Sequence, residues 1–86
     1  MVAAIGMSDL ARQKRLDVDL TADGELTPRH SVGQAVEHYL ENMQVRDRGL
    51  RYSAFSRGVM LDSKRRLSDL EETDSDWTVM PEVSAG

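Results

Sequence analysis

The sequence predicts one small α+β domain in which a mixed sheet packs on one long helix. Residues 16–20 alternate between apolar and acidic side chains, which is typical of a strand with one buried face. Residues 32–43 repeat apolar side chains at helical spacing, and residues 52–61 and 77–83 return to β-favouring side chains. A chain of 86 residues has room for a single core around these elements.

Composition excludes several functions. The chain has no cysteine, which rules out disulfides, thiolate zinc sites and a cysteine nucleophile and favours a reducing compartment. No apolar run approaches the roughly 18 residues of a membrane span, and residues 1–7 lack the basic start of a signal peptide. No nucleophile–base pair or phosphate-binding loop is visible. We therefore expect a cytoplasmic protein that is not an enzyme and has neither a cofactor nor a membrane span.

The net charge of −4 conceals a strong segregation. Residues 46–66 contain seven basic and two acidic side chains, a balance of +5, whereas residues 67–86 contain six acidic side chains and no basic one. The basic stretch surrounds Tyr52 and Phe55, a combination that suits nucleic-acid binding. We favour the alternative in which the two segments neutralise each other on one small domain, and we therefore do not expect a nucleic-acid partner.

A turn signal follows the first predicted strand. Asp23-Gly24 comes soon after residues 16–20, and this dipeptide favours a tight hairpin because that turn type requires positive φ. We therefore predict a second, short strand from about Glu25 that pairs back on the first. Residues 1–13 are predicted to be an N-terminal extension, with a disordered lead and an additional strand left open as its structure.

The helix is the most regular predicted element. Ser31 is its expected N-cap and Gly49 the residue just past its end. The apolar stripe consists of Val32, Ala35, Val36, Tyr39, Leu40 and Met43.

The remaining elements are short. We predict a turn around Gly58 between two strands, then a one-turn helix held by Leu67 and Leu70. Pro81 cannot donate a ladder hydrogen bond, so pairing of the last strand should weaken there. The predicted core consists of Val18, Leu20, Val36, Leu40, Leu61, Leu67, Trp77 and Val79.

Two stretches of the sequence partly match metal-binding patterns. Residues 19–30 match five positions of a calcium-binding EF-hand loop, but the twelfth position holds His30 where the site needs a bidentate glutamate. His30 and His38 do not converge on a helix and have no third ligand at a matching spacing. We expect both histidines to be solvated surface residues and predict no metal site.

The order of the elements and four stretches of sequence carry a resemblance. "SVGQAVEHYL", "AFSRGVML", "RRLSDL" and "WTVMPEVSAG" stand where ubiquitin has its helix, its recognition strand, a Leu-Ser-Asp turn and its last strand with the tail. The chain resembles ubiquitin-like proteins of the β-grasp fold, in particular the bacterial ones, from Ser31 to Gly86. The resemblance implies a ubiquitin-like domain over residues 14–80 and a flexible tail over residues 81–86.

The resemblance also implies a role for the tail. In this family the terminal glycine carboxylate is activated with ATP, passed through thioesters and joined to a target amine by an isopeptide bond. Gly86 would be the conjugated residue, and Ala85 stands where the family has its penultimate glycine. A residue without Cβ leaves the carbonyl open to attack.

Further residues acquire roles by the same resemblance. Phe55 and Met80 would contribute to the apolar patch that partners recognise. Glu82 stands where ubiquitin has an arginine that the activating enzyme senses, so a dedicated activating enzyme is implied. Lys14 and Lys64 would be the two lysines available as acceptors for chain formation.

The implied partners are activating-enzyme-like and conjugating-enzyme-like proteins, a JAB-type protease and the target proteins, within a bacterial antiviral (anti-phage) system. β-grasp domains also serve as unconjugated binding subunits or adaptors, because one fold supports many functions. An unconjugated binding subunit or adaptor is therefore the alternative function. A small nucleic-acid-binding or antitoxin-like regulator is a third hypothesis.

Overall fold

The sheet brings both ends of the chain to its centre. The computed structural model describes residues 2–45 and 51–82. The strands and the helix are β1 (Ala4–Ser8), β2 (Arg15–Asp19), α1 (Val32–Asn42), β3 (Tyr52–Ser56), β4 (Val59–Met60) and β5 (Asp76–Pro81). The sheet order is β2-β1-β5-β3-β4, with β1 parallel to β5 and the other neighbours antiparallel. Within the described residues this is a small α+β fold with one mixed sheet and one helix, as the sequence predicts.

The N-terminal segment is not an extension. Residues expected to precede the domain form β1, which pairs with β2 on one side and β5 on the other. Val2, Ile5 and Met7 are each at most 1% exposed, so the segment supplies part of the core. The prediction that the domain begins at residue 14 is therefore wrong. A five-residue strand with a central glycine gave too weak an alternation to identify it, and one of its two partners, β5, lies far away in sequence.

The predicted hairpin at Asp23-Gly24 is also wrong. β2 pairs with β1 over five residues. The segment after Gly24 forms no strand with β2 and makes a single isolated parallel bridge, between Leu26 and Leu20. Neither Asp23 nor Gly24 has the positive φ that a tight hairpin turn requires. Leu26 is buried in the core instead of continuing a ladder.

Strand β2 itself is confirmed, with Leu16 and Val18 half-buried and the intervening acidic residues exposed. Arg15 lies across the outer face of the sheet and contacts Asp17 at 3.0 Å and Asp76 of β5 at 3.2 Å. A Cβ on Gly6 would stand 2.3 Å from Arg15 Nη2, so the glycine makes room for this side chain between the two carboxylates.

The helix begins as predicted. Ser31 Oγ accepts the Gln34 N–H at 3.2 Å, and Gln34 Oε1 accepts the Ser31 N–H at 2.9 Å, which completes a capping box. The helix ends at Asn42, and the predicted terminator Gly49 lies outside the described residues. No helix in the described part of the chain is long and apolar enough to cross a membrane.

The second half of the fold follows the sequence closely. Arg57 and Gly58 both have positive φ, 52° and 83°, and form the two-residue turn between β3 and β4. Two short 3₁₀ turns, Leu67–Asp69 and Glu72–Asp74, connect β4 with β5. Leu67 and Leu70 are buried there, as predicted. Of the predicted core residues only Val18 is half-buried instead of buried.

Tyr39 joins the helix to the loop between β1 and β2, because its hydroxyl donates to the Lys14 carbonyl oxygen at 2.8 Å. Burial raises the pKa of this hydroxyl, and the nearby Asp9 carboxylate acts in the same direction. The folded state therefore holds the tyrosine proton more tightly than the unfolded state does. The resulting stability is present below the ordinary tyrosine pKa of about 10 and is lost as pH rises through the folded value.

We expect the free energy of unfolding to fall above about pH 10 in the wild type, with a weaker fall in Tyr39→Phe. At neutral pH this substitution should cost about 1 kcal/mol, because one hydrogen bond is lost. Urea denaturation from neutral to alkaline pH measures both effects. Equal profiles for wild type and Tyr39→Phe would contradict the assignment.

Candidate recognition surface and C-terminal strand

The sheet face turned away from the helix carries an apolar patch. Trp77 and Val79 of β5 are buried on the face of the sheet that packs against the helix. Because successive side chains of a strand point to opposite faces, Met80 lies on the outer face. Met80 pairs with Ser53 and Thr78 pairs with Phe55, which makes Phe55 and Met80 diagonal neighbours on that face. The structure thus brings together the two residues that the resemblance assigned to partner recognition.

Met60 extends this patch and was missed in the sequence. It pairs directly with Phe55 across the β3–β4 hairpin and is 53% exposed. A signal for it was present, because a two-residue turn at Arg57-Gly58 places Phe55 opposite Met60 by counting outward from the turn. We refer to Phe55, Met60 and Met80 together as the outer patch.

The last strand extends further than the sequence indicates. Pro81 is a member of β5 and pairs with Tyr52, and the Glu82 N–H donates to the Arg51 carbonyl oxygen at 2.7 Å. The expected tail over residues 81–86 is therefore wrong for its first two residues. Hydrogen-bonded and non-hydrogen-bonded pairs alternate along an antiparallel ladder, and Glu82 with Arg51 is a hydrogen-bonded pair. The next pair, Pro81 with Tyr52, is therefore a non-hydrogen-bonded one, so the missing N–H of Pro81 costs no bond to β3.

The Glu82 side chain is also held on the sheet. Its Oε1 atom accepts the Ser53 hydroxyl at 2.6 Å, and its Oε2 atom lies 4.0 Å from Arg51 Nε. Its side chain is 34% exposed, so part of the carboxylate remains accessible to a partner. Residues 83–86 lie outside the described residues, and with them Ala85 and Gly86.

The two lysines lie at opposite ends of the helix. Lys14 is exposed beside the helix C-terminus, where its Nζ is 3.5 Å from the Met43 carbonyl oxygen. Lys64 is exposed in the loop after β4, next to Ser63, whose carbonyl oxygen accepts the Gly33 N–H of the first helical turn. The two lysines that the resemblance implies as acceptors therefore lie apart, at the two ends of the helix.

Both histidines have local structural partners. His30 Nδ1 accepts the Thr27 N–H at 2.9 Å, and His38 Nε2 lies 3.1 Å from Glu25 Oε2. The described residues contain no group of three His, Asp or Glu side chains that could hold a metal ion. Both histidines are half-buried, with the His38 side chain only 16% exposed, so the expectation that they are solvated surface residues is wrong.

Part of the basic stretch is tied to the protein's own backbone. Arg65 donates to the Asp69 carbonyl oxygen at 3.0 Å, and Arg66 donates to the Arg29 carbonyl oxygen. These contacts hold the loop after β4 against the start of the acidic segment and the approach to the helix. The candidate site in the described residues therefore comprises the outer patch and the end of β5. No protein-family model and no curated protein matches this chain.

Proposed function

We propose that the protein is a ubiquitin-like modifier of the β-grasp fold, activated at the carboxylate of Gly86. The observation that carries the proposal is the end of β5, where Glu82 is anchored by its backbone and side chain to β3. Only three residues, 83–85, separate that anchor from Gly86 in the sequence. The mixed sheet with one capped helix, in which two strands precede the helix and three follow it, is compatible with the β-grasp assignment.

The proposed chemistry belongs largely to partners. The Gly86 carboxylate attacks the α-phosphate of ATP, pyrophosphate leaves, and an acyl adenylate forms on an activating enzyme. A cysteine thiolate of that enzyme then displaces AMP to form a thioester, which passes to a conjugating-enzyme cysteine. A target amine finally attacks the thioester carbonyl and releases the thiol, leaving an amide bond. The partners must supply both cysteines, since this chain has none.

The outer patch supplies a recognition surface for such partners. Phe55 and Met80 are half-buried and Met60 is more than half exposed, so together they offer apolar area that a partner would remove from water. Glu82 places a partly exposed carboxylate beside the start of the tail, where an activating enzyme would sense it. The proposed setting is a bacterial conjugation system directed against phage, with a JAB-type protease to remove the modifier.

The test uses residues 1–86, ATP and an activating-enzyme-like protein from the same genome. We expect an adduct on the enzyme that requires ATP and disappears with a thiol reductant. Deleting Gly86 should abolish the adduct, because the shortened chain ends in Ala85 and is one residue short. Ala85→Gly is the matched variant in the tail and should form at least as much adduct as the wild type. Formation of the same adduct by the chain without Gly86 would refute the proposal.

An unconjugated adaptor is the second candidate, favoured by the outer patch. For an adaptor, Met80→Glu should reduce partner binding by about tenfold or more, since a buried unpaired carboxylate is costly at an apolar interface. Deleting Gly86 should leave that binding unchanged. The pair of variants therefore separates the two functions: the modifier needs Gly86, and the adaptor needs only the surface.

A further inference from the structure

Strand β4 is an exposed apolar edge of the sheet. Val59 is 66% exposed and Met60 is 53% exposed, and within residues 2–45 and 51–82 the other strongly exposed large apolar side chain is Leu10. β4 is the last strand in the sheet order, so one side of it has no neighbouring strand. Unprotected strand edges of this kind readily pair with another strand.

The backbone of Met60 is available at this edge. The Leu61 N–H donates to the Ala54 carbonyl oxygen at 2.9 Å, so Leu61 is bonded inward to β3. Because ladder bonds alternate along an antiparallel pair, the N–H and C=O of Met60 point the other way, toward the open edge. A strand added there would find one donor and one acceptor on the same residue.

The opposite edge of the sheet is protected. The Leu20 N–H, just after β2, donates to the Ala3 carbonyl oxygen. Because ladder bonds alternate, every second residue of β2 points its backbone N–H and C=O away from β1, toward the open edge. Those outward-turned residues are Arg15, Asp17 and Asp19. Charged side chains along an edge discourage pairing, and β4 has none within the strand itself.

Charges of both signs flank the apolar centre of the β4 edge. Arg57 precedes the strand and Asp62 follows it, and both are exposed. Arg57, Arg65, Asp62 and Asp74 line one groove together with Val59 and Met60, so two positive and two negative side chains surround it. When two copies meet across a two-fold axis, charges of both signs around the groove allow positive side chains of one copy to face negative side chains of the other. A groove lined by charges of one sign would repel its copy.

We infer that β4 pairs with β4 of a second copy of this chain in an antiparallel arrangement centred on Met60. In that register Met60 faces Met60 and the two residues exchange both backbone hydrogen bonds. Val59 lies opposite Leu61 of the second copy, which adds an apolar contact on the helix side of the sheet. The symmetry makes every contact occur twice and joins two sheets into one.

The same register pairs the flanking charges. Gly58 of one copy lies opposite Asp62 of the other, so Arg57 is placed beside that carboxylate. The rotation creates the same Arg57–Asp62 contact on the other side of the Met60 pair. On the outer face the Met60 side chains meet between the two Phe55 rings, since Met60 is already the direct neighbour of Phe55. This inference does not depend on the proposed modifier function.

Sedimentation velocity from micromolar to millimolar protein tests the dimer. We expect reversible, concentration-dependent dimerisation of the wild type. Met60→Lys should weaken it by about tenfold or more, because two like charges meet at the symmetry axis. Leu10→Lys removes an apolar side chain that is even more exposed than Met60 but lies away from β4, and this variant should dimerise like the wild type. Far-UV circular dichroism checks that both variants remain folded.

A charge exchange tests the register. Arg57→Asp alone and Asp62→Arg alone should each weaken dimerisation several-fold, because each places like charges together. The double variant Arg57→Asp/Asp62→Arg should recover dimerisation, because it restores opposite charges at both symmetric contacts. A wild type that stays monomeric at millimolar concentration, or Met60→Lys and Leu10→Lys variants with equal dimerisation, would overturn the inference. Failure of the double variant to recover would overturn the proposed register.

Discussion

Deleting residues 1–13 is expected to abolish folding at room temperature. The deletion removes β1 from between β2 and β5, so both neighbours lose their pairing partner in the middle of the sheet. It also removes Val2, Ile5 and Met7 from the core, at about 1.5–3 kcal/mol for each buried apolar side chain. The three together contribute about 5–9 kcal/mol. A small domain has a total stability of about 5–15 kcal/mol, so this loss alone is comparable to the whole, and the ladder hydrogen bonds of β1 are lost in addition.

Far-UV circular dichroism and the dispersion of amide NMR signals would show the loss of fold directly. Leu10→Ser is the control within the same segment. Its side chain is 73% exposed, so the change should alter the free energy of unfolding by less than about 0.5 kcal/mol. A cooperative thermal transition in the chain that begins at residue 14 would contradict the central position of β1.

Trp77→Ala is expected to destabilise the domain by about 3–5 kcal/mol. Trp77 is 1% exposed on β5, where it pairs with Met7, and its indole N–H donates to the Asp74 carbonyl oxygen at 2.6 Å. Truncation therefore leaves a large cavity beside β1 and an unpaired carbonyl group. In a domain of this size the change should lower Tm by more than about 10 °C.

Two variants place limits on this effect. Trp77→Phe retains most of the apolar volume but loses the hydrogen bond, so it should destabilise less than Trp77→Ala does. Met80→Ala lies on the same strand but on the outer face, and should cost less than about 1.5 kcal/mol. Urea denaturation measures all three changes. Equal losses for Trp77→Ala and Met80→Ala would contradict the assignment of the two faces of β5.

Several features of the candidate site could be predicted before the structure was known. Phe55 and Met80 were assigned by their positions in the resembling stretches, and the register of β3 with β5 makes them diagonal neighbours. Met60 and the anchoring of Glu82 were not predicted. Met60 joins the outer patch through a hairpin partner, and Glu82 is held by Arg51 and Ser53 from a strand that lies distant in sequence.

Local pattern alone was sufficient for the helix with its Ser31 cap, for β2, for the Arg57-Gly58 turn and for the inward side of β5. Each of these depends on side-chain periodicity or on φ preferences within a few residues. Strand pairing had to come from the tertiary structure. Asp23-Gly24 has the composition of a hairpin turn, yet β2 pairs with β1 because that partner offers a full five-residue ladder. Met7 pairs with Trp77, a contact between the two ends of the chain that no local window of sequence contains.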